Sequence, residues 1–316
     1  MMSPSRRRWL KRTWIALSLI LFAATCAERA KPWLKNFARA RDVPATPVPH
    51  VRSSALRIAS WNLQFLDVEG RGHEHRTRTD YEALRRYAVA LDADVIAVQE
   101  VASTAALEQL FAPSLYAYHL ASLGGAQRTG FVYRKTLRTR VYPDLSALAL
   151  RDLRAGSDLG IMMGSRELRL LSIHLKAFCV TGPLDRNDKD CQKLNAQLPI
   201  LEGWVDARAR EQVPFAVLGD FNRVLSNSDD ALFRALDDGD PRGLTLRRAS
   251  LSTHGECRPG RRQHVIDHVL LGGPATRWLG SDGLVQLPFA LADLAAHRKL
   301  SDHCPIRATL TPPSVH

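Results

Sequence analysis

The sequence predicts an α+β protein built on β-sheets, and three observations support this prediction. Five short apolar runs have the length and spacing of strands. Segments with helical character at 81–92, 103–111 and within 193–211 alternate with them, and Pro199 is expected to interrupt the last one. The chain has 316 residues, of which 45% are hydrophobic and 24% charged, so it can form one large globular domain.

Four of the apolar runs end in polar residues on one face. Alternate residues of a strand point to the same side, so each face can be taken from the sequence. A single polar end would mark a strand that leaves the core, whereas four predict strand ends that converge on one polar cavity. The four faces are Leu56, Ile58, Ser60, Asn62 and Gln64; Asp94, Ile96, Val98 and Glu100; Leu168, Leu170, Ser172, His174 and Lys176; and Ala216, Leu218, Asp220 and Asn222.

The fourth run ends in the sequence GDFN, which places Asp220 and Asn222 two residues apart. Asp and Asn favour turns because their side chains bond the local backbone, so GDFN alone indicates a turn. The same spacing also directs both side chains to one side of an extended chain, with Phe221 on the other. The interpretation therefore depends on the rest of the chain.

The fifth run, HVIDHVLLG, places Asp267 on the face of Val265 and Val269. A carboxylate in such surroundings needs a cationic or hydrogen-bonding partner. His303, in the sequence SDH, is a natural partner, because a carboxylate orients an imidazole and supports its charged form. The alternative is that the two are separate surface residues.

The basic character of the chain is concentrated in its first 50 residues. The formal net charge is +12, from 44 Lys and Arg against 32 Asp and Glu. Ten of these basic and two of these acidic residues precede residue 51, which leaves 34 against 30, or +4, for the remainder. The charge therefore says more about targeting than about substrate.

We expect residues 1–27 to be a signal peptide, because a basic stretch at 6–12 precedes an apolar stretch at 13–27. The apolar stretch is shorter than the roughly 20 residues of a spanning helix, although an uncleaved inner-membrane anchor is the alternative. Residues 5–11 resemble a twin-arginine signal and equally a generic basic leader. Residues 28–52 are then a basic, Pro-rich linker. The protein is expected to be exported, periplasmic or secreted.

Export implies an oxidising compartment, where four cysteines remain after cleavage. Three pairings are open, and we favour Cys179 with Cys191, close in sequence, and Cys257 with Cys304. Four buried thiols are the alternative.

Six motifs in order give the chain a resemblance to a known family. They are SWNLQ, VQEV, SIHLK, GDFN, VIDHVLL and SDHCP, spread over about residues 53–312. Each alone is common, but the ordered set resembles the endonuclease/exonuclease/phosphatase superfamily, and Asn62 with Gln64 resembles its deoxyribonuclease I-like branch. The resemblance implies a catalytic domain over 53–312 with a four-layer α/β/β/α sandwich, in which two packed mixed β-sheets are flanked by helices.

The resemblance also implies a role for each matched residue. Glu100, with Asn62 beside it and Asp302 nearby, would hold a divalent ion, Mg²⁺ with Mn²⁺ or Ca²⁺ as alternatives. Asp220 and Asn222 would handle the attacking water and the phosphate, and His174 would donate to a phosphate oxygen or to the leaving group. His303 would be the general base or its equivalent, oriented by Asp267. Which of Asp220 and His303 takes the proton of the water stays open.

The chain departs from the family at Gln127, where deoxyribonuclease I-like enzymes have a Glu that orients the first histidine. Arg128 and Lys176 are candidates for binding substrate phosphate, and Arg128 is equally compatible with a solvated position. A further basic stretch at 258–262 (RPGRR) could contact nucleic acid.

These features predict an exported, metal-dependent phosphodiester hydrolase, an endonuclease acting on DNA or RNA. The alternatives are a phospholipid phosphodiesterase resembling sphingomyelinases, a phosphatase, and a non-catalytic binding module. A lipid enzyme would need an apolar membrane-facing loop, and 288–297 is a mild candidate that also fits a short helix. We expect a monomer, with membrane association only through the N-terminus.

Overall fold

Strand pairing builds two six-stranded sheets in the computed structural model of the chain, which describes residues 55–68, 73–225, 229–249, 257 and 264–313. The expected signal peptide (1–27) and linker (28–52) lie outside these residues. Within the described residues, every helix is too short or too polar to span a bilayer.

The first sheet has the strand order β11-β12-β1-β2-β4-β3, and all of its pairs are antiparallel except β1 with β2. The central parallel pair places the carboxyl ends of β1 and β2 at the same edge. The strands are β1 (Leu56–Leu66), β2 (Val95–Val101), β3 (Tyr116–Leu120), β4 (Arg128–Arg134), β11 (Leu279–Gln286) and β12 (Ile306–Leu310).

The second sheet has the order β5-β6-β7-β8-β10-β9, and β7 with β8 is its one parallel pair. Both sheets are therefore mixed, as the resemblance to the family implied. The strands are β5 (Thr139–Val141), β6 (Ser157–Met163), β7 (Arg166–His174), β8 (Phe215–Asp220), β9 (Leu246–Arg248) and β10 (Asp267–Gly272).

Apolar side chains between the two sheets form the central core. Ile58 and Val95 of the first sheet belong to the same buried cluster as Leu170, Leu218 and Val269 of the second. Alternate residues of these strands are apolar, so each sheet buries a second apolar face under helices. The described helices are α1 (Arg78–Leu91), α2 (Thr104–Glu108), α3 (Lys189–Arg210), α4 (Ala231–Leu236) and α5 (Leu291–Ala295).

Helix α3 shows where the sequence prediction was wrong, because it continues through Pro199 instead of being interrupted there. Proline removes one N–H from the helix, but Leu194 before it and Leu201 after it both pack in the core between α3 and the second sheet. This packing on both sides holds the helix together. At its start, Asp188 caps the helix by accepting bonds from Asp190 N and Cys191 N.

Both expected cysteine pairs form disulfides, Cys179 with Cys191 and Cys257 with Cys304. The first joins the segment after β7 to the first turn of α3, and the second joins Cys257 to the residue after His303. Helix α5 lies within the 288–297 stretch, where Phe289 packs edge-on against Tyr87 at 5.0 Å and Leu291 is 67% exposed.

Candidate active site

Three predicted site residues form one row across the edge of the second sheet. Asp220, the last residue of β8, is paired in register with His174 on β7 and with Asp267 on β10. Because β10 is antiparallel to β8, its first residue lies at the edge where β7 and β8 end. Asp267 therefore begins its strand, whereas the run HVIDHVLLG suggested a strand that already includes Val265.

His303 joins this row through Asp267. Its Nδ1 atom lies 2.7 Å from Oδ2 of Asp267, and its Nε2 atom lies 3.6 Å from Oδ2 of Asp220. The predicted pairing of His303 with a carboxylate is thus present, and the free side of the imidazole faces a second carboxylate.

The loop that carries His303 is tied to β1. Ser301 Oγ donates to the carbonyl of Asn62 at 2.7 Å and accepts from the backbone N–H of His303 at 3.0 Å. The indole N–H of Trp61 donates to the carbonyl of His303 at 3.2 Å. These bonds hold the imidazole next to the end of the first sheet.

Asn62 and Glu100 come to the site from the first sheet. The Nδ2 atom of Asn62 lies 3.3 Å from Oε1 of Glu100 and 3.0 Å from Oδ2 of Asp220, so this amide bridges the two sheets. The second carboxylate oxygen of Glu100 accepts from the backbone N–H of Phe65 at 3.1 Å.

Glu100 does not reach the site by the alternation assumed from the sequence. Val95 and Ala97 of β2 lie between the sheets, which puts Glu100 on the opposite face if the strand stays regular. Its backbone instead adopts a left-handed φ of 58°, and the pairing of β2 is irregular between residues 98 and 101. This local irregularity turns the carboxylate toward Asn62.

Left-handed backbone recurs around the site. Gln64, Phe65 and Asn222 have φ values of 46°, 51° and 52°. Non-glycine residues in this region are uncommon and cluster at functional sites, where the surrounding structure holds them.

Asn222 combines the turn and the site interpretations of GDFN. Its backbone N–H donates to Oδ1 of Asp220 at 2.8 Å, which is a local turn bond, and its Nδ2 donates to the carbonyl of Leu175 at 3.0 Å. Phe221 between them is buried in the core under α3. The turn therefore positions the Asp220 carboxylate.

Burial dominates the electrostatics of the row. Burial raises the pKa of Asp220 to about 7. The positive charge of His303 lowers this pKa, and the negative charge of Asp267 raises it. Burial opposes protonation of His303 too, but the negative charges of Asp267 and Asp220 raise its pKa well above the usual value. Burial lowers the pKa of His174 well below its usual value, and the positive charges of Arg154 and His303 add to this.

The row opens into a cavity of about 590 Å³. Asp302 lines it and is exposed, and Lys176 lines it while paired with Asp190 at 2.7 Å. Gln127, which stands where deoxyribonuclease I-like enzymes have a Glu, lines the cavity. Arg128 does not line it. The basic residues at 258–262 lie outside the described residues.

Arg154 is a cavity residue that sequence reasoning missed. Its Nη2 donates to the carbonyl of Leu175 at 2.8 Å, and its buried Nε has no hydrogen-bond partner among the described residues. Burial lowers its pKa, whereas the charges of Asp220 and Glu100 oppose that change. In the sequence RDLRAG it looks like any solvated loop arginine, so no pattern identifies it.

The oxygen atoms at this edge of the sheets are suitable ligands for a hard divalent cation, because such ions prefer carboxylate oxygens. Glu100, Asp220 and Asp302 supply these oxygens around the cavity. Potential ligand atoms of Asp220, Asp267 and His303 also lie within 4.8 Å of one another, although Asp267 and His303 already bond each other. Asn62 presents Nδ2 to Glu100, since its oxygen accepts from Gln64 N at 3.0 Å.

The fold and the site define a class of protein: a four-layer sandwich of two mixed sheets, with carboxylates, amides and imidazoles gathered at one edge. The family described as the Endonuclease/Exonuclease/phosphatase family matches residues 59–303, and the chain belongs to this family. Members of this family typically hydrolyse phosphoric esters. No curated protein matches the chain.

Solved structures share the fold at low sequence identity. An endonuclease/exonuclease/phosphatase from Bacteroides vulgatus is 13% identical with a TM-score of 0.57, covering 83% of this chain and 100% of that one. D. rerio TDP2 complexed with single strand DNA product is 17% identical with a TM-score of 0.53, covering 81% and 99%. The Xenopus laevis APE2 catalytic domain is 14% identical with a TM-score of 0.53, covering 83% and 94%.

Proposed function

We propose that this chain is an exported, divalent-metal-dependent phosphodiester hydrolase that acts on nucleic acid, as an endonuclease. The observation that carries the proposal is the convergence of Glu100, His174, Asp220 and His303 on one cavity. These side chains come from both sheets and from the loop before β12, so they meet only in the folded chain.

The residues divide the chemistry of water attack on phosphorus between them. Asp220 and Asn222 would orient the water, and the Asp220–His303 pair would accept its proton, since Oδ2 and Nε2 are 3.6 Å apart. Asp267 would hold the imidazole in position. His174, kept neutral by burial, would donate its N–H to a phosphate oxygen or to the leaving oxygen.

Glu100 and Asp302 would hold the divalent ion, with Asn62 orienting the Glu100 carboxylate. The ion held there, Mg²⁺ or in its place Mn²⁺ or Ca²⁺, would supply positive charge to neutralise the phosphate in the transition state. Arg154 and Lys176 would add positive charge for the substrate phosphate.

Nucleic acid is supported as the substrate by a relative of the same fold, D. rerio TDP2, which was solved with a single strand DNA product. Exposed Leu291 on α5 favours the lipid alternative, because such a side chain could enter a membrane surface. Leu291 does not line the cavity, whereas the basic residues Arg154, Lys176 and Lys193 do.

Export is supported by the two disulfides and by the basic and apolar stretches of the first 27 residues. Fractionation of a bacterial host that expresses the full chain tests it. Recovery in the periplasm or medium supports a signal peptide, recovery in the inner membrane supports an anchor, and recovery in the cytoplasm rejects export.

The activity is tested with purified full-length chain, in Mg²⁺ or in EDTA, on plasmid DNA, RNA, sphingomyelin, inositol phosphates and bis-p-nitrophenyl phosphate. We expect Mg²⁺-dependent cleavage of nucleic acid that is lost in His303→Ala with little loss of stability. Intact plasmid and RNA together with cleaved lipid would reject the proposal.

A further inference from the structure

Phe178 places an aromatic ring at the mouth of the cavity. Its side chain is 75% exposed, and it is the only phenyl, phenol or indole ring among the described residues that line the cavity. It follows His174 by four residues, so its Cα lies within roughly 14 Å of the Cα of His174 along the chain.

The backbone holds this ring in an unusual conformation. Phe178 has a φ of 72°, which a bulky L-residue rarely adopts because it is strained there. Exposure of a large apolar ring adds to that cost, because no burial offsets it. Among the described residues, Leu150 also combines a left-handed φ, of 48°, with an exposed large apolar side chain, but only Phe178 does so at the cavity.

Both ends of the segment around Phe178 are fixed. On one side, the backbone N–H of Lys176 donates to Oε1 of buried Gln197 at 2.9 Å. On the other side, Cys179 is buried in the disulfide with Cys191, and its carbonyl accepts from Nη1 of buried Arg223 at 2.9 Å. The backbone that carries the ring is therefore held between two anchors.

The surroundings of the ring select for a flat ligand that carries phosphate. Nζ of Lys176 lies 5.0 Å from the ring centroid. Lys176 and Lys193 pair with Asp190 and Asp152, which also line the cavity. Arg154 lines it without a carboxylate partner among the described residues, so it is the cation that can meet a phosphate. A lipid tail would need a continuous apolar surface, but the other apolar side chains lining the cavity within the described residues are buried Leu153 and small Ala177. A nucleobase needs only one exposed face of an aromatic ring to stack on, next to the site that binds its phosphate.

We propose that Phe178 is a stacking platform for a nucleobase next to the phosphate at His174 and Asp220, and that it gives the site a preference for unpaired strands. This inference rests on the proposed function. A base in a duplex already stacks on its neighbours, whereas an unpaired base is free to stack on protein aromatic rings.

The test compares the full-length chain with Phe178→Ala, Phe178→Leu and Phe178→Tyr. The substrates are a single-stranded oligodeoxyribonucleotide and a strand of equal length with base-free tetrahydrofuran residues around the cleavage position. Base stacking is worth about 1–3 kcal/mol by alanine substitution, so Phe178→Ala should raise KM on the base-bearing strand about 5- to 150-fold.

We expect kcat to stay within about twofold, Tyr to retain the low KM, Leu to behave like Ala, and the base-free strand to be cleaved alike by all forms. Leu291→Ala, which removes an exposed apolar side chain away from the cavity, is the matched control and should change nothing. Equal KM values for wild type and Phe178→Ala, or equal losses on both strands, overturn the inference but leave the proposed function standing. A wild type that cleaves neither strand and cleaves sphingomyelin vesicles overturns both.

Discussion

Asp267 and His303 lie 36 residues apart in the chain, and their side chains meet at 2.7 Å at the edge of the second sheet. The pair fixes the ring so that Nε2 faces Asp220. Asp267→Asn keeps the shape but removes the charge that supports the imidazolium. We expect kcat on a phosphodiester substrate to fall about 100-fold or more with little change in Tm.

Asp144→Asn is the control for this variant, because Asp144 also bonds a histidine, with Oδ1 3.1 Å from Nε2 of His119, and is similarly buried. It does not line the cavity. Activity equal to wild type in Asp267→Asn, or an equal loss in both variants, would contradict the assignment of Asp267.

Glu100→Gln tests where the divalent ion binds. The amide keeps the shape and an acceptor oxygen but loses the charge that a hard cation needs. We expect MgCl₂ to raise the Tm of the wild type and not of Glu100→Gln, because only a form that binds the ion is stabilised by it. Steady-state assays should show kcat reduced about 100-fold or more at any Mg²⁺ concentration.

Glu82→Gln is the matched control, since Glu82 is a half-exposed residue of α1 whose one ion pair within the described part of the chain is with Arg78. It should keep the Mg²⁺-dependent rise in Tm and full activity. A Mg²⁺ response in Glu100→Gln equal to that of the wild type would place the ion elsewhere, and the group formed by Asp220, Asp267 and His303 would become the alternative.

Strand faces could be predicted where the strand stays regular. In β7, Leu168 and Leu170 lie between the sheets and His174 ends the strand on the same face, as simple alternation requires. The same rule fails for Glu100, because its left-handed φ breaks the alternation, and no residue type in VQEV signals this.

Contacts between distant parts of the chain could be predicted only where the residue type itself limits the possible partners. The cysteine pairs could be predicted because only three pairings exist, and both favoured pairs form. Arg154 could not, because its place in the cavity depends on the packing of a loop without periodic pattern. The continuity of α3 through Pro199 also depends on packing that local propensity does not contain.

The two disulfides should affect different kinetic constants. Cys304 follows His303, so Cys257→Ser with Cys304→Ser should lower kcat, whereas Cys179→Ser with Cys191→Ser frees the Phe178 segment and should raise KM. The enclosed lengths of 47 and 12 residues predict losses of about 4 and about 3 kcal/mol in the free energy of unfolding.

Urea denaturation measures the loss in the free energy of unfolding, and steady-state kinetics on the same preparations measure kcat and KM. Each double variant is the control of the other, since both remove one disulfide from the same chain. Identical kinetic effects of the two double variants would show that the disulfides act on global stability alone.

Arg76 is buried and joins the irregular end of β1 to the loop that leads to His303. Its guanidinium donates to the carbonyls of both segments, so one side chain satisfies acceptors on two elements of the site. Those carbonyls belong to Leu63, Gln64, Phe65, Lys299 and Leu300, at 2.6–3.4 Å. Lysine has three donors on a compact ammonium and cannot reproduce this fork.

Arg76→Lys should therefore lower the free energy of unfolding by about 3 kcal/mol and lower kcat, because carbonyls on both sides of the site lose their donor. Arg85→Lys is the control, since exposed Arg85 donates through two nitrogens to a single carbonyl, that of Gln109, at 2.9 and 2.6 Å. Its free energy of unfolding should change by less than about 0.5 kcal/mol. Full activity in Arg76→Lys at a reduced stability would mean that the guanidinium supports the fold without positioning His303.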